Sequence, residues 1–81
     1  MMQPPSAWHR VDGTVVSCTE SVKVLEENWD EVRRNLQTYF EDAVLLGVSK
    51  AEWRTQMHRL IDALECDYKE LTAPIEARKK D

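Results

Sequence analysis

The residues able to hold a metal or move a proton are few: His9, His58, Cys18 and Cys66, with carboxylates spread along the chain. Four such side chains are the minimum for a tetrahedral zinc site, yet there is no Cys-x-x-Cys pair and no closely spaced histidine pair, so the spacings match no zinc finger. A carboxylate-bridged di-iron centre needs Glu-x-x-His, and neither histidine has a glutamate three residues before it. No Gly-x-Ser-x-Gly, phosphate-cradling glycine loop or His-Glu-x-x-His is present. Glu26, Glu27, Asp30 and Glu31 crowd one stretch, but such a run on an amphipathic helix is ordinarily a solvated outer face. His58, between Met57 and Arg59, has the setting of a surface or seam-edge histidine. The chain thus carries no catalytic, cofactor or metal signature, and both cysteines are expected as plain thiols that behave as small hydrophobes.

A second set of groups could recognise rather than react. Ala43-x-x-x-Gly47-Val48-Ser49 is followed by Trp53 and by Lys50, Arg54, His58 and Arg59. An alanine, a glycine four residues later and an apolar residue next resembles the turn of a DNA-binding helix-turn-helix, whose second helix enters the major groove. That resemblance covers about ten residues and implies base or phosphate contacts from Lys50, Arg54, His58 and Arg59. The pattern departs from it at Trp53, where a small β-branched residue is usual, and at Gln56, where Leu or Ile is usual. The preceding helix is also far too long. A left-handed glycine stop followed by a Ser-x-x-Glu cap accounts for Gly47, Val48, Ser49 and Glu52 without DNA.

The elements that must position these groups are marked by apolar spacing. From Val22 through Leu25, Trp29, Val32, Leu36, Tyr39 and Ala43 to Leu46, apolar residues alternate steps of three and four, which predicts one long helix with a continuous seam. Ser17-Cys18-Thr19-Glu20 supplies a capping box at its start, with Thr19 an equally good cap. Its acidic first half suits the helix dipole. Gly47 with Val48 supplies its stop. A second seam, Trp53, Met57, Leu60 and Leu64, continues less regularly to Tyr68 and Leu71 and is opened by Ser49-Lys50-Ala51-Glu52. These signals predict helices at 20–46 and 50–72, the second ending before Pro74.

Ahead of them, Asp12-Gly13 between β-branched residues predicts a two-residue hairpin turn over 8–17, pairing Val11 with Thr14 and His9 with Val16. Residues 1–7, with two prolines, are expected as a disordered lead and 74–81 as a polar tail. The single domain is therefore 8–73.

Folding the helices about Gly47 sets Ala43 against Trp53, Leu36 against Leu60, Val32 against Leu64 and Trp29 near Tyr68. It also brings Glu41 and Asp42 toward Arg54, and Arg33 and Arg34 toward Asp62 and Glu65, as in an antiparallel coiled coil. At 81 residues two helices cannot close a core alone. Phe40, Val44, Leu45 and Ile61 widen the apolar surface beyond the seams, which marks an interface.

The net charge of −4, with signs interspersed apart from Arg78-Lys79-Lys80, argues against a large phosphate-binding surface. No stretch is apolar enough for a signal peptide or a membrane span, and acids where a lipid-binding helix would carry Lys and Arg argue against a membrane surface. Together these predict a mainly α (α+β) fold: a short β-hairpin, then a long antiparallel two-helix hairpin completed by homodimerisation into a four-helix core. The expected function is that of a small, non-enzymatic, cytoplasmic protein–protein interaction or regulatory module, with a DNA-binding regulator as the alternative. Trp29, Leu36, Phe40, Val44, Trp53, Leu60 and Ile61 are the expected core and interface. Glu26, Glu27, Asp30 and Glu31 are the expected docking face, and no cofactor is expected.

Overall fold

The computed structural model describes residues 2–73; the expected tail at 74–81 lies outside them. It holds two helices, α1 (Thr19–Leu45) and α2 (Lys50–Asp62), and divides into two units. The first is Met1–Trp29 with the segment that resumes at Tyr68, and the second is Asp30–Asp67.

In the first unit the expected β-hairpin is absent as strands. A single antiparallel bridge, His9 with Val15, takes its place. Arg10 N–H donates to the Thr14 carbonyl at 2.7 Å and Val16 N–H to that of Trp8 at 2.8 Å, so the pairing is one residue off the expected register. The cause is the turn. A two-residue Asp-Gly turn needs positive φ at both positions, but only Gly13 adopts it, at 86°, and no non-glycine residue does. Gly13 N–H instead closes a turn on the Arg10 carbonyl at 3.0 Å, leaving a three-residue loop, Val11-Asp12-Gly13, with glycine in the left-handed position. The Asp12 carboxylate accepts from the backbone N–H and the hydroxyl of Thr14, an Asx turn that favours this geometry.

A one-residue slip exchanges the faces of a strand, and here it sorts them. Trp8, Arg10, Thr14 and Val16 share one face and are half-covered, while His9, Val11 and Val15 share the other and are exposed. The Trp8 ring meets Trp29 edge to face, with centroids 6.1 Å apart, and Val22 and Leu25 are half-covered on the same helix. The lead is engaged rather than idle: Pro4 and Ala7 are half-covered, and the Met2 carbonyl accepts from Trp29 Nε1 at 3.4 Å. Ala73, 2% exposed, is buried, and its N–H donates to Asp12 Oδ2 at 3.0 Å.

Helix α1 begins one residue before the expected 20. The Cys18 carbonyl accepts the first intrahelical bond, from Val22 at 2.9 Å, so Cys18 is the N-cap residue rather than Ser17 or Thr19. The far end is a Schellman motif, as Gly47 and Val48 predict. Val48 N–H reaches the Ala43 carbonyl at 2.9 Å, Gly47 N–H reaches that of Val44 at 3.0 Å, and Gly47 has φ 98°, the left-handed conformation the motif requires.

Helix α2 starts where expected. Ser49 is its N-cap, and its hydroxyl accepts from the Glu52 N–H at 3.0 Å. The reciprocal half of the box is unmade, since the Glu52 carboxylate accepts from Gln56 at 2.8 Å instead. The helix ends at Asp62 rather than 72. Ala63 caps it by donating to the carbonyls of Arg59 and Leu60. Leu60 and Ile61 are already more than half exposed, so little apolar contact supports a further turn, and Cys66-Asp67-Tyr68 are weak helix formers. Leu64, Tyr68 and Leu71 therefore lie exposed in irregular chain.

Candidate functional site

The inner face of α1 differs from the expected seam in a regular way. The half-covered residues are Val22, Leu25 and Trp29 in the first unit and Arg33, Leu36, Phe40 and Ala43 in the second, whereas Val32, Tyr39 and Leu46 are exposed. A straight helix turns about 100° per residue, so a strict seven-residue repeat drifts by about 20° each heptad. Past Trp29 that drift carries Val32, Tyr39 and Leu46 off the inner face. Arg33 and Phe40 rotate in to replace them.

In the second unit the centre of contact is Phe40 against Trp53, with ring centroids 4.9 Å apart at 37°. The Arg54 guanidinium lies 4.8 Å from the Phe40 centroid, a cation–π cover over the ring edge of the hairpin. The ring contact of Trp53 is with Phe40, nearly one turn from the expected partner Ala43. Arg54 is taken by Phe40 rather than by Glu41 or Asp42. Arg33 and Arg34 do not reach across to Asp62 and Glu65; both go to Asp30 in their own helix, at 2.8 and 3.5 Å.

Of the expected interface residues, Leu36, Phe40 and Trp53 are half-covered, while Val44, Leu60 and Ile61 are exposed on the second unit. Trp29 belongs to the first unit and pairs with Trp8 instead of Tyr68. The tryptophan pair escaped the sequence reading because helical periodicity says nothing about which non-helical residue covers a seam. Met57, half-covered beside Trp53 on α2, was visible as a seam residue.

The expected docking acids are all exposed, but two are partly neutralised. Glu27 lies 4.0 Å from Lys23. Asp30 carries both arginines, and the hydrogen bond from Arg33 holds its carboxyl below the usual carboxylate value. Glu26 and Glu31 remain as open acids on the helix surface.

The expected DNA contacts Lys50, Arg54, His58 and Arg59 are all exposed on α2; Arg54 also lies on Phe40, and Arg59 donates to Gln56 at 3.3 Å.

Two features of the first unit bear on chemistry. A cleft of about 450 Å³ includes His9, Arg10, Ser21 and Glu70, but the Arg10 guanidinium is already committed to the Thr14 hydroxyl and the Val15 carbonyl. The Cys18 thiol accepts from the Ser21 backbone N–H, the Ser21 hydroxyl and the Glu20 N–H, which together hold it below the ordinary thiol value of 9.0. Neither cysteine is in a disulfide. Among the described residues no three His, Cys, Asp or Glu side chains cluster as metal ligands, and no helix is long and apolar enough to cross a membrane. No family model matches the chain, and no curated protein or solved structure resembles it significantly.

Proposed function

We propose that this chain is a small, non-enzymatic protein–protein interaction module, cytoplasmic in setting, that completes its apolar core by pairing with a second copy. One observation carries the reading: among the described residues only Ala73 is buried, while Val44, Leu45, Leu46, Leu60 and Ile61 of the second unit stand open to solvent. So many large apolar side chains left open on so small a chain are characteristic of an interface. Two exposed thiols outside any disulfide suit a reducing compartment. Glu26 and Glu31 offer the dimer an acidic outer surface toward a further protein.

The test is the mass in solution by light scattering behind size exclusion, over a tenfold concentration range at low and high salt. A salt-resistant species of twice the 9.5 kDa chain mass supports the reading, because apolar contacts are not screened. A folded monomer at every concentration overturns the self-association. Salt-sensitive retention on heparin or duplex DNA would favour the DNA-binding alternative.

A further inference from the structure

The sequence from Val22 to Leu46, which spans α1 and its C-terminal cap, keeps an apolar residue at both seam positions of a seven-residue repeat: Val22, Trp29, Leu36 and Ala43 at one, Leu25, Val32, Tyr39 and Leu46 at the other. The second unit covers Leu36 and Ala43, together with Arg33 and Phe40. It leaves Val32 53%, Tyr39 55% and Leu46 84% exposed. These three form a row two heptads long that the hairpin's own packing does not use. Such a row is the contact line of a left-handed supercoil, because only supercoiling keeps residues seven apart in register.

We propose that this row docks a second copy of the chain, α1 against α1, antiparallel about a two-fold axis at Tyr39. The inference rests on the self-association read above and names its surface and orientation. At about 100° per residue the row lies about 80° around the helix from the face that meets α2. That is close to the right angle at which a helix in a four-helix bundle meets its two neighbours, so the second copy and α2 occupy different sides of α1.

The flanking residues select a second copy and set its direction. The row is bordered by Leu36 and Ala43 on one side and by Asn35 and Asp42 on the other. An antiparallel pairing centred on Tyr39 brings like flanks together, Leu36 beside Ala43 and Asp42 beside Asn35, so apolar meets apolar and no like charges face each other. A parallel pairing would set the polar flank of one copy against the apolar flank of the other, Asp42 beside Ala43, and align the two helix dipoles, both unfavourable. The antiparallel register also places Val32 opposite Leu46, small against large, with Tyr39 on Tyr39 at the axis.

The test compares the full chain with Tyr39→Glu and Val32→Lys by concentration-dependent light scattering, with far-ultraviolet circular dichroism as the check on folding. Both side chains lie outside the Phe40–Trp53 contact, so helicity should hold. The dimer should weaken by tenfold or more in each variant. A wild-type dimer that neither substitution weakens overturns this inference and leaves the self-association reading standing; a wild-type monomer overturns both. Orientation is read by disulfide trapping with Val32→Cys and Leu46→Cys, each in a Cys18→Ser, Cys66→Ser background. Cross-linking mainly when the two are mixed is expected. Efficient cross-linking of either variant with itself overturns the antiparallel arrangement.

Discussion

Replacing Phe40 by alanine tests the rotated inner face of α1 most directly. A fully buried Phe→Ala change costs about 3 to 5 kcal/mol. Phe40 is half-covered, and its open side needs no cavity, so about half to two-thirds of that loss applies, or about 2 to 3 kcal/mol. Within this figure the ring pair with Trp53 supplies about 0.5 to 1.5 kcal/mol, and the Arg54 cover about 0.5 to 1 kcal/mol. With a urea slope of about 1 kcal/mol/M for a chain this small, the midpoint should fall by about 2 to 3 M. The assay is urea unfolding followed by tryptophan fluorescence and circular dichroism at one fixed protein concentration, because association shifts apparent stability. Thr38→Ala is the control. Thr38 is two residues away on the same helix, exposed and outside the open apolar surface, so its loss should fall within about 0.5 kcal/mol of neutral. Equal losses at the two positions would refute the assignment of Phe40 to the inner face.

Three further outcomes follow from local geometry. Ser49→Ala removes the hydroxyl that accepts from the Glu52 N–H and should cost about 1 kcal/mol, seen as lower helicity and an earlier thermal transition. Gly13→Ala meets no atom within 4 Å, so its cost is that of the left-handed φ of 86° alone, about 1 kcal/mol, and Gly13→Asn should recover part of it in the same urea assay. Cys18 should alkylate with iodoacetamide at lower pH in the folded chain than in urea, and Ser21→Ala should move the profile back up. Because the folded thiol is held below its unfolded value of 9.0, its contribution to stability is fully present above that value and is lost as pH falls through the folded one.

The helical half of this fold was largely legible in the sequence because its signals are local. Gly47, Val48 and Ser49 each specify a backbone hydrogen bond within a few residues, and the structure makes them. What escaped depended on distance or on fine angle. The seven-residue spacing of Val32, Tyr39 and Leu46 fits an ideal seam, and only the drift of a straight helix shows why Arg33 and Phe40 face inward instead. Asp12-Gly13 signals a turn correctly. It does not reveal that Asp12 keeps negative φ, and that choice moves the register and decides which face carries Trp8. The early end of α2 was invisible for another reason: Leu64, Tyr68 and Leu71 continue a helical spacing, but spacing does not show whether anything lies opposite to cover them. For the same reason the candidate interface was legible as a surplus of apolar residues, and its division between covered and open was not.

The hydrogen bond from Ala73 to Asp12 has a consequence for how the chain comes to be folded. The first unit is written in two pieces, with the whole of the second unit between them. Its closing contact therefore joins residues 61 apart, while the Phe40–Trp53 contact joins neighbours across one short turn. Closing the longer loop carries the larger entropic cost and the slower search. The helical hairpin should thus form early, before the first unit closes. The unit carrying Trp8 and Trp29 should mature last, once the chain beyond the hairpin has returned, which makes it the first region to open when the protein is stressed.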